Sequence, residues 1–238
     1  MKIKKNIEQH NRDIKEKGGY LYNSGSLANQ ITHKRIMDVI TSFYDFTNKR
    51  ILEVGCGDGK FTVELHNFIG GGYILATEPA EQAIEAAKML KNKLNIDNID
   101  FVVKNIYNFD INEKFDLVFF NGVLHHLGDP NKAIEIASKF ADEMIIVEPN
   151  GYSPALKVIE KVSKYHREHE EQSFFLFTIN KWLGNAGMKI KKYKFIDIIP
   201  VFAPDILTKM LKPFVPICEN IPIFKRLLCA RVVIYAKR

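Results

Sequence analysis

Short apolar runs alternate with helical segments along the first 150 residues, and this alternation constrains the fold more than any other feature. Five runs are typical of strands, at 51–54, 73–77, 101–103, 116–120 and 144–148. Helical spacing of apolar residues predicts helices over 31–46, 80–94 and 130–140. The runs lack strict polar alternation, as expected of parallel strands that are covered on both faces. The pattern therefore predicts an α/β fold built on a doubly wound, mostly parallel sheet.

The pattern changes after Pro149. We predict helices over 154–170 and 178–186, and strands over 188–198 and 230–237. Between these strands lies a segment with five of the nine prolines, which predicts an irregular insertion. Because the chain has no low-complexity linker and no internal repeat, we expect one domain. Its predicted parts are a helical lid (1–48), a cofactor-binding core (49–150) and a carboxyl-terminal half (151–238) with a substrate-side insertion (198–228).

The segment ILEVGCGDGKF (51–61) is the most informative motif. A strand leads into Gly55, Gly57 and Gly59 and then into a helix, so the backbone can turn sharply and approach a ligand closely. A dinucleotide fingerprint requires glycine at the sixth place, which here is Lys60. A phosphate-binding Walker loop also fails, since no GK[ST] follows. The loop therefore favours a ligand other than NAD or ATP.

Two acidic residues accompany this loop. Glu53 stands two residues before the first glycine, where a carboxylate suits a cation better than a pyrophosphate. Glu78 ends the second strand, where a carboxylate can accept both hydroxyls of a ribose. The alternative for Glu78 is a solvated residue that caps the helix beginning near Pro79.

The combination of EVGCGDG with Glu78 resembles the class I S-adenosyl-methionine-dependent methyltransferases, in particular the small-molecule subgroup similar to the quinone-biosynthesis enzymes. This resemblance implies a seven-stranded Rossmann-like sheet whose last strand is antiparallel, with S-adenosyl-methionine as the cofactor and no metal. It implies that Glu53, Gly55 and Gly57 lie along the methionine moiety and that Glu78 binds the ribose. By the same resemblance, the cofactor site also includes Cys56, Gly59 and Pro79.

The segment after the third strand departs from the family. Where the family usually has an aspartate and an apolar residue to hold the adenine, this chain has Asn105 and Ile106. An asparagine can still accept from the exocyclic amine but adds no charge. Tyr107 and Asp110 are alternatives for this role.

The segment FFNGVLHHLGDP (119–130) resembles the family motif at which the methyl group faces the acceptor. The resemblance implies backbone contacts to the methionine end from Asn121 and Gly122, with Leu124 at the border of the pocket. His126 is the candidate general base and His125 its rival, because a histidine can accept a proton near neutral pH. Adjacent histidines are expected to point in different directions, and both could instead merely cap a turn before Pro130.

The acceptor pocket has two candidate walls. Tyr20, Tyr22 and Asn29 lie in a predicted amino-terminal loop, and Phe202 and Met210 lie in the insertion. Residues 181–238 carry twelve Lys and Arg against three acids, for +9, while the rest carries −3 of the total +6. Apolar residues mixed with cations suit a lipid-like or anionic substrate, or contact with a membrane surface. A lysine-rich solvated surface is the alternative.

These features lead to one main hypothesis, a methyltransferase that acts on a small or lipid-like acceptor through O- or C-methylation. An RNA methyltransferase and a catalytically inactive cofactor-binding subunit are the alternatives, although the chain lacks the Asn/Asp-Pro-Pro-Tyr motif of nucleic-acid amino methyltransferases. Cys56, Cys218 and Cys229 form no CxxC pair, so we expect buried free thiols. No apolar segment follows the amino-terminal lysines as it would in a secretory signal, so we expect a cytoplasmic protein. His166 and His169 are spaced like metal ligands, but a solvated charged helix explains them.

Overall fold

A computed structural model describes residues 7–8, 11–12, 25–163, 172–201 and 203–238. Its centre is a seven-stranded sheet. The strands, in chain order β1 to β7, are Arg50–Val54, Tyr73–Glu78, Ile99–Val103, Leu117–Asn121, Glu143–Pro149, Lys189–Ile196 and Arg231–Lys237. All seven predicted strands are confirmed, with boundary shifts of one or two residues.

The strand order is β3-β2-β1-β4-β5-β7-β6. Strands β1 to β5 pair in parallel, whereas β7 runs antiparallel to both β5 and β6. Successive strands β1 to β3 are added towards one edge of the sheet, and β4 and β5 are added towards the other, so the order of addition reverses between β1 and β4. A topological switch of this kind opens a crevice at the carboxyl ends of the central strands. The predicted doubly wound sheet with an antiparallel last strand is therefore confirmed.

Nine α-helices occur in the described part of the chain. In chain order α1 to α9, they are Leu27–Phe43, Lys60–His66, Glu81–Lys93, Pro130–Ala137, Pro154–Val162, Leu176–Asn185, Asp205–Leu211, Val215–Asn220 and Pro222–Leu228. The predicted start of the first helix at residue 31 is wrong, because Ser26 caps α1 by accepting from the backbone N–H of Asn29. Asn29 therefore lies in a helix and not in the predicted loop.

Alternate residues of each central strand enter different hydrophobic layers. In β4, Leu117 and Phe119 pack with the apolar faces of α1, α2 and α3, while Val118 and Phe120 pack with α4 and α6. All four side chains are fully buried. This two-sided burial explains why the strands appear in the sequence as continuous apolar runs.

The segment before β7 is more regular than predicted. Residues 205–228 form helices α7, α8 and α9, joined by a 3₁₀ turn at Lys212–Phe214. The prediction of an irregular insertion is wrong because Pro216 and Pro222 stand in the first turns of α8 and α9, where the missing N–H is not needed. All three cysteines are free and buried, as predicted. Among the described helices, none has the length and apolar character that a bilayer crossing requires.

Candidate active site

A cavity of about 260 Å³ lies at the carboxyl edge of the sheet, where the topology predicts a crevice. Its walls come from the ends of β1 to β5, from the first residue of β7 and from one side of α1. Residues near β3 and β2 lie at one end, and residues from β4, β5 and β7 lie at the other. The cavity is therefore elongated across the sheet and suits an extended ligand.

The glycine loop allows the backbone to approach this cavity. Gly55 has φ +77°, and a Cβ atom there would lie 2.5 Å from Cγ2 of Val123. The backbone N–H groups of Gly55 and Cys56 both donate to the carbonyl of Thr77, at 2.7 and 3.0 Å, and this fixes the turn against β2. No L side chain at position 55 fits this conformation and this space.

Gly59 has a different role from the predicted one. It stands at the amino end of α2 with φ +75°, and a Cβ atom there would meet Ala87 at 2.7 Å and Phe101 at 2.9 Å. The cavity wall does not include it. The glycine is required because α2 packs closely against α3 and β3 at this point.

Glu53 presents a buried carboxylate to the cavity. The side chain is 1% exposed, and its Oε2 atom has no hydrogen-bond partner within the described part of the chain. Burial raises the pKa of this carboxyl to about 7, although the Thr62 hydroxyl beside it acts in the opposite direction. A buried carboxylate oxygen with unused hydrogen-bonding capacity at a cavity wall is suited to a cationic group of a ligand.

Glu78 is the second buried carboxylate of the cavity. Its Oε1 atom accepts from the backbone N–H of Ala80 at 3.1 Å, and its Oε2 atom accepts from that of Gly57 at 3.4 Å. Burial raises its pKa to about 7, although these two hydrogen bonds act in the opposite direction. Glu78 is 8% exposed, so the alternative of a solvated helix cap does not describe it. It also connects the glycine loop to the end of β2.

Asn105, Ile106 and Tyr107 line the end of the cavity beside β3. Oδ1 of Asn105 accepts from the backbone N–H of Tyr107 at 3.1 Å, and this caps a 3₁₀ turn at Ile106–Asn108. The hydroxyl of Tyr107 is bonded to the backbone of Asp129 at 2.9 Å. Asp110 is exposed, pairs with Lys104 and is not part of the wall, so its position does not favour the adenine role.

His125 and His126 both line the opposite end of the cavity. The expectation that their rings point in different directions is wrong, since the ring centroids are 4.0 Å apart. The 3₁₀ turn at Leu124–His126 brings the two rings side by side. His125 is 5% exposed, and its Nδ1 atom lies 2.9 Å from Oε2 of Glu148.

Glu148, at the end of β5, was not identified from the sequence. Its Oε1 atom accepts from the backbone N–H groups of Val123 at 2.9 Å and Leu124 at 2.8 Å, while Oε2 meets His125. This one carboxylate, 1% exposed, holds the whole loop after β4. An acid at the end of an apolar strand, as in MIIVE, was the available signal, since Glu53 and Glu78 occupy the same kind of position.

A fourth buried acid, Asp197, joins α1 to β7 beside the cavity. Asp197 is fully buried, and its Oδ2 atom accepts from the Thr32 hydroxyl at 2.6 Å and from the Arg231 guanidinium at 3.2 Å. Thr32 and Arg231 both line the cavity, as do Asn29, His33 and Val201. Of these five wall residues, only Asn29 was a sequence candidate.

The remaining site residues predicted from the sequence fall into three groups: those in the cavity wall, those outside it and those outside the described residues. The cavity wall includes Gly55, Cys56, Gly57, Pro79, Asn121 and Gly122, and it excludes Leu124, which is fully buried beneath it. Met210 does not line the cavity either, since its side chain on α7 is 64% exposed. Tyr20, Tyr22, Phe202, His166 and His169 lie outside the described residues. Within the described ranges, no three His, Cys, Asp or Glu side chains form a group that could hold a metal ion.

Comparison with known proteins identifies the family. A family model described as a methyltransferase domain matches residues 45–195, which is more than half of the chain. The chain is 28% identical over 99 residues to the probable cobalt-precorrin-6B C(15)-methyltransferase (decarboxylating) of Thermoplasma acidophilum, a match that covers 41% of this chain and 49% of that protein. It is 26% identical over 117 residues to the ubiquinone biosynthesis O-methyltransferase of Neisseria meningitidis, which covers 48% and 46% respectively.

These matches span about half the length of the curated relatives, or less. A crystal structure of magnesium protoporphyrin IX methyltransferase from Synechocystis with bound SAH has a TM-score of 0.65 at 16% identity, and the match covers 92% of this chain and 91% of that one. This similarity extends over nearly the whole chain and concerns the fold. The chain belongs to the methyltransferase-domain family and has the Rossmann-like fold of S-adenosyl-methionine-dependent methyltransferases.

Proposed function

We propose that this protein transfers a methyl group from S-adenosyl-methionine to a small or lipid-like acceptor. The observation that carries the proposal is the arrangement of one cavity, which joins a glycine loop and two buried carboxylates at one side to a histidine pair at the other. A donor that extends along the glycine loop would then end close to the histidines, where an acceptor has room.

The residues present fit this cofactor. Oε2 of Glu53, buried without a protein donor, would accept from the cationic amino group of the methionine moiety. Glu78 would accept from the ribose hydroxyls, because each of its two oxygens accepts one backbone N–H and can accept a second hydrogen bond. Gly55 leaves the space that a Cβ atom would fill. Asn105 and Ile106 would contact the adenine at the end of the cavity beside β3.

The chemistry places modest demands on the protein. The bound cofactor supplies a methyl group on a positively charged sulfur, which is already activated for displacement by a nucleophile. The protein holds donor and acceptor in line and excludes water, and good alignment alone contributes roughly 7–11 kcal/mol to such reactions. Alignment is therefore the main role of the cavity walls.

His126 is the base in this proposal. An acceptor such as a phenol or an activated carbon must lose a proton, and an imidazole at the cavity wall can accept it, with a contribution of about 100- to 10,000-fold. His125 positions His126 through its neighbouring ring, and Glu148 holds His125 through Nδ1. Such a base serves O-methylation or C-methylation wherever the acceptor must lose a proton. A small-molecule acceptor agrees with the names of three relatives, which refer to a cobalt-precorrin, to ubiquinone biosynthesis and to magnesium protoporphyrin IX.

Titration calorimetry with S-adenosyl-methionine, S-adenosyl-homocysteine and NAD tests the cofactor assignment. We expect saturable binding of the first two and none of NAD, because the glycine loop lacks the dinucleotide spacing. Binding of NAD alone, or of none of the three by a folded protein, would refute the proposal. A Gly55→Val variant is the matched loss-of-site control, since its side chain would occupy the loop.

A further inference from the structure

An apolar and basic surface covers the helical insertion before β7. We define the insertion surface as the exposed side chains of α7, the 3₁₀ turn at Lys212–Phe214, α8 and α9. Ten of the nineteen large apolar side chains that are exposed in the described chain lie in the 24 residues 205–228, nine of them on these elements and Ile221 between α8 and α9: Ile206, Leu207, Met210, Phe214, Ile217, Ile221, Ile223, Phe224, Leu227 and Leu228. An exposed apolar patch of this density usually marks an interaction site.

The insertion surface is rigidly supported, so its exposure does not result from loose packing. Thr208, Val215 and Cys218 are buried beneath it. Nδ2 of Asn150 donates to the carbonyls of Arg226 and Cys229, at 2.8 and 2.7 Å, and fixes the end of α9 to β5. The apolar side chains on the outer side are therefore held in place facing solvent.

The charges on this surface are mainly positive. Lys209, Lys212 and Arg226 are exposed among the apolar side chains, and Lys225 is partly exposed beside them. Glu219 is buried and pairs with Arg35 and Lys194, which leaves Asp205 as the one exposed acid in 205–228. Apolar side chains surrounded by cations match the boundary between acyl chains and anionic headgroups.

We infer that the insertion surface docks onto an anionic lipid bilayer. A second copy of the chain fits less well, because an isologous contact would bring the four cations of each copy together with few exposed acids to neutralise them. The helices α7 to α9 have seven residues or fewer and are too short to cross a bilayer, so the contact would be made at the membrane surface. The inference concerns binding alone and stands whether or not the proposed reaction is correct.

The position of this surface relates it to the cavity. Val201, which lines the cavity, lies four residues before α7, and α7 packs against α1, which forms one cavity wall. A protein docked through the insertion surface would therefore hold the acceptor end of its cavity close to the bilayer. A lipid-like acceptor would have a short path from the membrane.

Sedimentation with vesicles tests the inference. We expect the full-length protein to bind vesicles that contain phosphatidylglycerol and to bind phosphatidylcholine vesicles weakly, with binding that decreases as salt increases. The double variant Lys225→Gln/Arg226→Gln should lower the partition coefficient about 30-fold, since each cation near an anionic surface contributes about fivefold. The matched control is Lys88→Gln/Lys93→Gln, on exposed α3 at the opposite edge of the sheet, which should bind like the wild type.

A second pair of variants tests the apolar part. Ile223→Ser/Phe224→Ser should weaken binding at least about tenfold, whereas Met89→Ser on α3 should not. If the double serine variant does not fold, as judged by its thermal unfolding curve, the charge variants decide the question. The inference is wrong if the wild type remains in the supernatant or if the α3 controls lose binding equally. It is also wrong if light scattering shows a dimer that the serine variant dissociates, or if RNA binds through these cations and vesicles do not.

Discussion

Replacing Glu53 by glutamine should stabilise the folded protein at high pH relative to the wild type. The same replacement should weaken cofactor binding. Burial raises the pKa of this carboxyl from 4.5 to about 7 in the folded protein. A carboxyl with a raised pKa favours the folded state while it is protonated, and the advantage is lost as the pH rises through the folded-state pKa. As the pH rises from about 4.5 to about 7, the free energy of unfolding of the wild-type protein therefore decreases because of Glu53. Glutamine does not titrate, so the variant shows no such decrease.

The expected size follows from these two pKa values. Between about pH 5 and about pH 8.5, the free energy of unfolding of Glu53→Gln should increase relative to the wild type by about 2.5 kcal/mol. Glu78 titrates in both proteins and cancels from this difference. The matched control is Glu85→Gln on the exposed side of α3, whose stability should follow the wild type at every pH.

Urea unfolding followed by circular dichroism at a series of pH values measures this difference. Parallel curves for Glu53→Gln and the wild type across that range would refute the reasoning, since Glu53 would then titrate in the folded protein as it does in the unfolded chain. In calorimetry, the same variant should bind S-adenosyl-methionine about 10- to 150-fold more weakly, because it loses a charge-assisted hydrogen bond to the amino group. Wild-type binding below about pH 7 should release protons as the ammonium group favours the ionised carboxylate.

Three further substitutions test other parts of the site. Gly55→Ala should lower the free energy of unfolding by about 1–3 kcal/mol and weaken cofactor binding, because its Cβ would clash with Val123; thermal unfolding and calorimetry measure both effects. His126→Ala should lower turnover by about 100- to 10,000-fold with unchanged cofactor affinity, and unchanged turnover across the pH range would exclude the base role. Glu148→Gln places an amide N–H group opposite Nδ1 of His125. We expect a loss of about 1–3 kcal/mol in the free energy of unfolding, together with a shifted pH profile of turnover. An unshifted profile would leave Glu148 with a purely structural role.

The sequence predicted the sheet because strands that are buried on both faces must be continuously apolar, and β4, LVFFN, is an example. It predicted the glycine loop because a positive φ and a close approach leave a local signature in residue type, as at Gly55. It could not distinguish the role of Gly59, which allows close helix packing, from that of Gly55, which lines the cavity. That distinction depends on α3, which lies more than twenty residues further along the chain.

The contacts that the sequence did not reveal join distant parts of the chain. Glu148 meets the loop after β4 only because β4 and β5 end side by side in the sheet. Thr32 and Asp197 are 165 positions apart, and no spacing rule connects a helix near the amino terminus to a buried acid after β6. The two histidines were identified, but the contact between their rings depends on the 3₁₀ turn that Glu148 stabilises.

A crystal structure of the protein grown with S-adenosyl-homocysteine would test the central claim most directly. We predict that the amino nitrogen of the ligand lies within hydrogen-bond distance of Oε2 of Glu53, that its ribose hydroxyls contact Glu78, and that its sulfur points towards His126. Electron density for the ligand elsewhere on the protein, or a cavity that excludes it under saturating conditions, would contradict the account.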